Sequence, residues 1–309
     1  MRRRIVPVAV AATLVVAGLT GCAGSSGSVA DCANPLQPGP LSDSVKLNGT
    51  AAPTISGPKE IRNAQRSLLA QGDADATAAV PGGIVTANVT MYEAASGKVI
   101  DQRENAPHLV LPEKMLGDVK KALASEQSDS MSMDYLIATS LLCAVPGQTI
   151  AVAATGAQSM ASQIGMTPTV AVIEVLQAAP DHSQGAARGL PAGFPAVAVD
   201  QTGRPGVVLP PQAGPTKMQV AVRIMGDGAK VTAKSSVIGQ ALTVNWNSAS
   251  VVSNTWESGI TGFGSEENAN PEYGFRAELT GYPVGSQLVI LDPNKGDPVV
   301  HVVDIISAS

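Results

Sequence analysis

The chain has 309 residues, enough for one or two domains. Hydrophobic residues make up 44%, which excludes global disorder, but aromatics are only 3%, which limits any ring-lined pocket. The formal net charge of −5 falls to −8 once Arg2, Arg3 and Arg4 leave with a leader, and no Lys/Arg cluster follows; both argue against nucleic acid as a partner.

Residues 1–21 carry those three arginines and an apolar run from Ile5 to Leu19, shorter than the ~20 residues of a spanning helix. The layout is that of an export signal. Leu19-Thr20-Gly21-Cys22 resembles the bacterial lipobox, which makes Cys22 the lipidated first residue of the mature chain. Residues 22–43, small and polar and then Pro-rich, read as a flexible tether. The expectation is an exported lipoprotein on the outer face of the cell membrane, acylated and held to the bilayer through Cys22. Cys32 and Cys143 remain, either bridged or as two buried thiols. An oxidising compartment favours the bridge, which would close a loop of about a hundred residues.

In the mature chain, Ser44–Leu47 and Thr54–Ile55 are short strand candidates, followed by Ser67–Ala70 and a turn at Gly72-Asp73. Ile84–Tyr92 is rich in β-branched residues and reads as a strand, and Val99-Ile100-Asp101 starts the next one. Pro112 opens a helix with Met115, Leu116, Val119, Ala122 and Leu123 on one face. Ser125–Asp134 is polar and reads as an exposed insertion; Leu136–Val145, Thr149–Ala153 and Thr169–Leu176 complete a first unit. Residues 179–191 form an aperiodic linker. Beyond it come Ala196–Val199, Val207–Leu209, the alternating Met218–Ile224, and Ser236–Trp246. The chain ends in a short helix-like piece, Phe275–Leu279, and two Val/Ile-rich strands.

That ending repeats an earlier stretch. Pro298–Ile306 matches Pro168–Leu176 position for position, and Pro283-Val284-Gly285-Ser286 echoes Val145-Pro146-Gly147-Gln148. The repeat predicts two α+β domains, over 44–178 and 192–309.

Two signals together resemble the FKBP-type peptidyl-prolyl isomerases. One is the strand Met218–Ile224 followed by Gly226-Asp227-Gly228. The other is Gly274–Leu279, then Val284-Gly285-Ser286, then Val302-Val303-Asp304-Ile305. Gly97-Lys98-Val99-Ile100-Asp101 echoes the family's central Gly-Lys-x-Phe-Asp. The likeness is to an actinobacterial-style lipoprotein with two such domains. It implies, in each, a bent antiparallel sheet wrapped on one short helix, with a proline pocket between them.

Isomerisation needs no nucleophile or acid–base pair, only a cavity that favours the twisted amide across a barrier of ~18–20 kcal/mol. The family builds that cavity from aromatic rings. In the first unit Asp101 is kept, but the neighbouring ring positions hold Ile100 and Thr90, and the floor position falls near Val119. In the second, Phe275 falls on the floor, while Ala241, Val252-Ser253 and His301 stand where the family has Tyr, Phe-Asp and Phe. Trp246 and Trp256 supply further rings. The capping loop is short: Gly285 to Pro298 is 13 positions, against 21 from Gly147 to Pro168. The candidate pocket residues are Trp246, Val252, Trp256, Phe275, His301, Ile100 and Asp101. The resemblance makes the chain an isomerase by family, yet the site is degenerate, so activity is left open. The reading is a protein-binding or folding-assistance module whose partners are proline-containing or partly folded proteins. A weakly active isomerase working through the second domain and a non-catalytic structural protein are the alternatives. No metal-ligand spacing and no cofactor motif is present, so neither group is expected.

Overall fold

The computed structural model describes residues 34–309 apart from Thr50, Lys59, Gln201 and Thr202. The leader, the Cys22 anchor and Cys32 lie outside the described residues.

The first unit begins with a hairpin, β1 (Val45–Asn48) and β2 (Ala51–Ile55). It continues through β3 (Gln65–Ala70), β4 (Ile84–Glu93), β5 (Val99–Leu109), α1 (Glu113–Leu123), α2 (Met133–Ser140), β6 (Thr149–Ala154), α3 (Gly156–Ala161) and β7 (Thr169–Ala179). The second comprises β8 (Ala186–Ala187), the hairpin β9 (Ala196–Val199) and β10 (Pro205–Val208), then β11 (Gln219–Met225), β12 (Val237–Asn245), β13 (Val251–Asn254), α4 (Thr255–Ser258), β14 (Thr261–Gly264), β15 (Gln287–Asp292) and β16 (Val299–Ala308).

The first sheet runs β3-β6-β7-β4-β5 and the second β13-β12-β16-β15-β11-β8, with β14 added along β12. Every pairing within them is antiparallel. Counted in chain order within each unit, the five main strands follow the same path, first-fourth-fifth-second-third. The fold is α+β, and the sequence repeat is a repeat of topology.

Both faces of each sheet are covered, which is why the central strands are apolar throughout instead of alternating with polar residues. On the inner face of the first sheet, Val85, Val89, Met91, Ile150, Val152 and Ile173 pack against Val119 of α1 and Leu136 and Ile137 of α2. On its outer face Leu41, Val45 and Ile55 from the N-terminal segment cover Tyr92, Ala153, Val170 and Val172. The second sheet repeats this arrangement. Val237, Ala241, Leu288, Ile290, Val303 and Ile305 face Phe275 and Leu279, while Val244, Val289, Leu291, Val300 and Val302 are covered by Phe194, Val197, Val207 and Leu209. Each fully buried branched side chain contributes about 1.5–3 kcal/mol, so an uncovered outer face would forfeit much of the core.

Two stretches differ from their sequence reading. Ser125–Asp134 is not an exposed insertion: Ser128, Met131 and Met133 are buried. Its backbone is tied inward, with Gln158 Nε2 donating to the Ser128 carbonyl at 2.9 Å and Met133 N–H to Ser162 Oγ at 2.7 Å. The methionines enter the core while the polar residues around them mask that signal. In the span read as the inter-domain linker, Ala186–Ala187 is an edge strand on β11, and β7 runs on through Ala179.

Candidate functional site

The approach from helix to sheet is built the same way in both units. In the second, a short 3₁₀ turn, Arg276–Leu279, leads into the turn at Val284-Gly285, where Gly285 has φ of +90°. In the first, α2 leads into Val145-Pro146-Gly147, with Gly147 at φ +83°. Such backbone is strained for residues carrying a Cβ, which is why both turns hold glycine. Phe275 stands ten positions before Gly285, and Ile137 stands ten before Gly147. The first unit's counterpart of Phe275 is therefore Ile137, fully buried on α2. Val119, read from the sequence as the floor, lies in the same core but on α1, the helix before it.

Phe275 is 0% exposed. Its ring meets Phe263 edge-on at 5.3 Å between centroids and Tyr273 at 5.8 Å, and lies 4.8 Å from the His301 ring. Phe263 and Tyr273 close the triangle at 4.9 Å. Edge-to-face rings of this kind contribute about 0.5–1.5 kcal/mol per pair beyond their buried area. His301 comes from β16, where its register partners are Thr243 on β12 and Ile290 on β15. Its Nδ1 is 2.9 Å from Thr243 Oγ1, and its Nε2 is 3.5 Å from Asp292 Oδ2, at the outer limit of polar contact.

The structure thus brings Phe275 and His301 together and separates them from the two tryptophans. Strand residues point alternately to opposite faces, and Trp246, just beyond β12, lies with Leu242 and Val244 on the outer face. Its Nε1 donates to the Gln212 carbonyl at 3.1 Å. Trp256, on α4, packs against the same outer core, and its Nε1 is buried without a hydrogen-bond partner among the described residues. Val252 sits on the edge strand β13 and is 61% exposed. The sheet runs between the two tryptophans and the rings of Phe263, Tyr273, Phe275 and His301, so these six do not line one cavity.

In the first unit Ile100 is half-buried against the inner core. Asp101 pairs with Arg103 Nε at 2.9 Å, and Arg103 Nη1 reaches Asp134 at 2.8 Å. Asp101 is therefore one end of a partly exposed ion-pair chain across β5 and α2. Further along β5, burial and the Arg103 charge depress the pKa of His108, so that it stays neutral near pH 7. Its Nε2 is buried without a hydrogen-bond partner among the described residues.

Two cavities lie elsewhere. One of about 210 Å³ is on the outer face of the second sheet, beside Trp246, Phe194 and Gln212. The other, about 650 Å³, opens at the end of the first sheet between Ile61, Thr155, Met160 and Met166. Neither is lined by Phe275 or His301. Among the described residues no three His, Cys, Asp or Glu side chains group as a metal site, and no helix is long and apolar enough to cross a membrane.

No protein-family model matches this chain, and no curated protein matches it. Among solved structures it is similar to the three FKBP domains of wheat FKBP73, with 12% identity over 80% of this chain and 95% of that one, at a TM-score of 0.28. It is also similar to a multi-domain immunophilin from Arabidopsis thaliana, with 13% identity and a TM-score of 0.27. That match covers 31% of this chain and spans 43% of the Arabidopsis one. Superpositions this loose carry no weight beside the strand order and the site geometry.

The sequence pointed to Phe275 and His301 but not to Phe263 and Tyr273, which occupy the space against them. The aromatic richness of this segment was visible in the sequence. Which rings meet was not, because Phe263 reaches Phe275 through a strand paired to β12.

Proposed function

We propose that this protein is a membrane-anchored envelope lipoprotein whose two FKBP-like units serve as a protein-binding or folding-assistance module without an isomerase's open pocket. The observation that carries this reading is the burial of Phe275. A catalyst of amide rotation must seat a proline ring in an apolar cavity, and here Phe263, Tyr273 and His301 fill the space against Phe275. The first unit has Ile100 and Ile137 in the matching inner core, with no Phe or Trp beside them. On this reading the bilayer is the partner of the acylated Cys22, and the clients are proline-containing or partly folded proteins outside the membrane.

The Cys32–Cys143 bridge belongs to the same proposal. Asn34 Nδ2 donates to the carbonyls of Thr139 at 2.9 Å and Ser140 at 3.1 Å, and lies 3.5 Å from that of Leu142. Two residues span at most about 7 Å, so Cys32 is within reach of the 4.4–6.8 Å Cα separation that a disulfide needs.

An X–Pro peptide assay on the mature chain tests the central claim. The expected rate equals the uncatalysed control, with aggregation of an unfolded client suppressed. Isomerase activity that Phe275→Ala abolishes would replace this reading with an enzyme acting through the second unit. Neither activity nor client protection would leave a structural envelope protein. Mass spectrometry of the mature N-terminus is expected to find a lipidated Cys22, and an unmodified one overturns the anchor.

A further inference from the structure

The first sheet ends in a groove built from chain that the second unit does not have. Fourteen residues separate β6 from β7, against six between β15 and β16, and the extra length builds α3 and the return through Met166 and Pro168. With Glu60, Ile61 and Arg62 of the β2–β3 connection and Asp129 of the α1–α2 connection, this loop bounds the cavity of about 650 Å³. Sites that hold a ligand occupy about 300–1,000 Å³, so the groove is large enough for one. None of the residues read as a proline pocket lines it.

The walls are held in place before any ligand arrives. Gly156, at the start of α3, lies so close to the Met166 carbonyl that a Cβ there would come within 2.5 Å of its oxygen. Gln158 Nε2 donates to the Ser128 carbonyl at 2.9 Å, Ser159 Oγ to Thr169 Oγ1 at 3.0 Å, and Thr167 Oγ1 to Glu93 at 3.1 Å. A preformed site loses little binding energy to its own ordering. The lining is soft and apolar. Met160 is 57% and Met166 80% exposed, and they are the two exposed methionines among the described residues. Unbranched thioethers adapt to side chains of varied shape, which is why methionine recurs on surfaces that bind many partners. Ile61 beside them leans on the outer core of the first sheet. Glu60, Arg62 and Asp129 have no ion pair or side-chain hydrogen bond among the described residues, so two free carboxylates stand at the groove against one guanidinium. The chain as a whole carries a net charge of −5, and its field adds to theirs.

We propose that this groove binds an extended segment of a partly folded protein, seating its apolar side chains among Ile61, Met160 and Met166 and a lysine or arginine beside Glu60 and Asp129. The proposal rests on the folding-assistance reading and gives that reading a site. Charge decides the partner. A segment bearing lysine or arginine meets two unpaired carboxylates, while an acidic one is repelled by them. Extension follows from burial. A folded protein keeps most large apolar side chains in its own core, and an unfinished chain presents several at once beside a charge.

Binding of short fluorescein-labelled peptides to the full mature chain, followed by anisotropy, tests the site. One peptide combines leucine, glycine and lysine, a second replaces each lysine by glutamate, and a third by glutamine. The lysine peptide is expected to bind about tenfold more tightly than the glutamate one at low salt, with the glutamine one between them. It is also expected to slow peroxide oxidation of Met160 and Met166 in the unmodified chain, read by peptide mapping. Met160→Gln with Met166→Gln is expected to weaken binding about tenfold, and Glu60→Lys with Asp129→Lys to reverse the preference between lysine and glutamate. All four positions are exposed, so these changes leave the core intact. Equal binding of the three peptides, binding that survives the paired methionine change, or oxidation that the peptide does not slow would each overturn the proposal. Client protection that persists in the paired methionine variant would also overturn it, while the folding-assistance reading stands. Peptide binding at the groove in a chain that protects no client would overturn that reading and leave the groove a site for basic apolar segments.

Discussion

The two units share a strand path and differ in how they close the end of the sheet beside the helix. Between β6 and β7 the first unit takes 14 residues and builds α3, capped by Thr155 and Gln158 in a reciprocal box. Between β15 and β16 the second takes 6, turning through Asn294 and Lys295 in left-handed backbone. Inside, the first unit fills its helix–sheet space with Leu136, Ile137, Met131 and Met133, and the second with Phe263, Tyr273 and Phe275. The comparison teaches that the strand path tolerates either filling, provided that the inner face ends up dry. A long loop with aliphatic residues and a short loop with rings are two ways to the same closed core.

The strongest way to break the equivalence is to empty both floors. Phe275→Ala is expected to cost about 3–5 kcal/mol and Ile137→Ala about 2–5 kcal/mol. Denaturant unfolding followed separately in each unit checks this, and a negligible loss at Ile137 would remove it as the counterpart of Phe275. Next comes Arg276, where the first unit has Ala138. It is buried, and donates to the carbonyls of Gly264 at 2.6 Å, Ser235 at 2.7 Å and Thr232 at 3.0 Å. Arg276→Met keeps the bulk but orphans these oxygens, and a loss of about 2–4 kcal/mol is expected in the second unit's transition alone.

In the first unit the corresponding staple would be the proposed Cys32–Cys143 bridge. Cys143→Ser is expected to lower stability by about 2–4 kcal/mol in the oxidised chain and to leave the reduced chain nearly unchanged. Asp101→Asn should have the smallest effect, under about 1 kcal/mol, because its ion pair with Arg103 is partly exposed. A larger loss would mean that the first unit's Asp101 does more than tie β5 to its neighbours.

Much of this was legible in the chain. Ile84–Tyr92, Thr149–Ala153 and Met218–Ile224 are strands within a residue or two of where their β-branched patterns put them. The helix opened by Pro112 is α1, and the helix-like piece Phe275–Leu279 holds the short 3₁₀ turn Arg276–Leu279. Ile137 was harder to read. The pattern opened by Pro112 already supplies one helix, and nothing local says which of two successive helices stands under the sheet. The candidate site was legible one residue at a time. Phe275 and His301 come together, but Trp246 and Trp256 fall behind the sheet, because strand parity and a short helix decide direction where composition cannot.

The sequence by itself determined the repeat, the strand-rich α+β class and the glycines of the two matching turns, since these depend on local backbone preferences and on which residues are apolar. Only the tertiary structure decided that the outer faces are covered by hairpins, that Phe275 is walled in, and that Ile61 and Met166 share a groove. Each of those is a contact between segments distant in the chain. Its energy comes from excluding water between surfaces that no local pattern pairs.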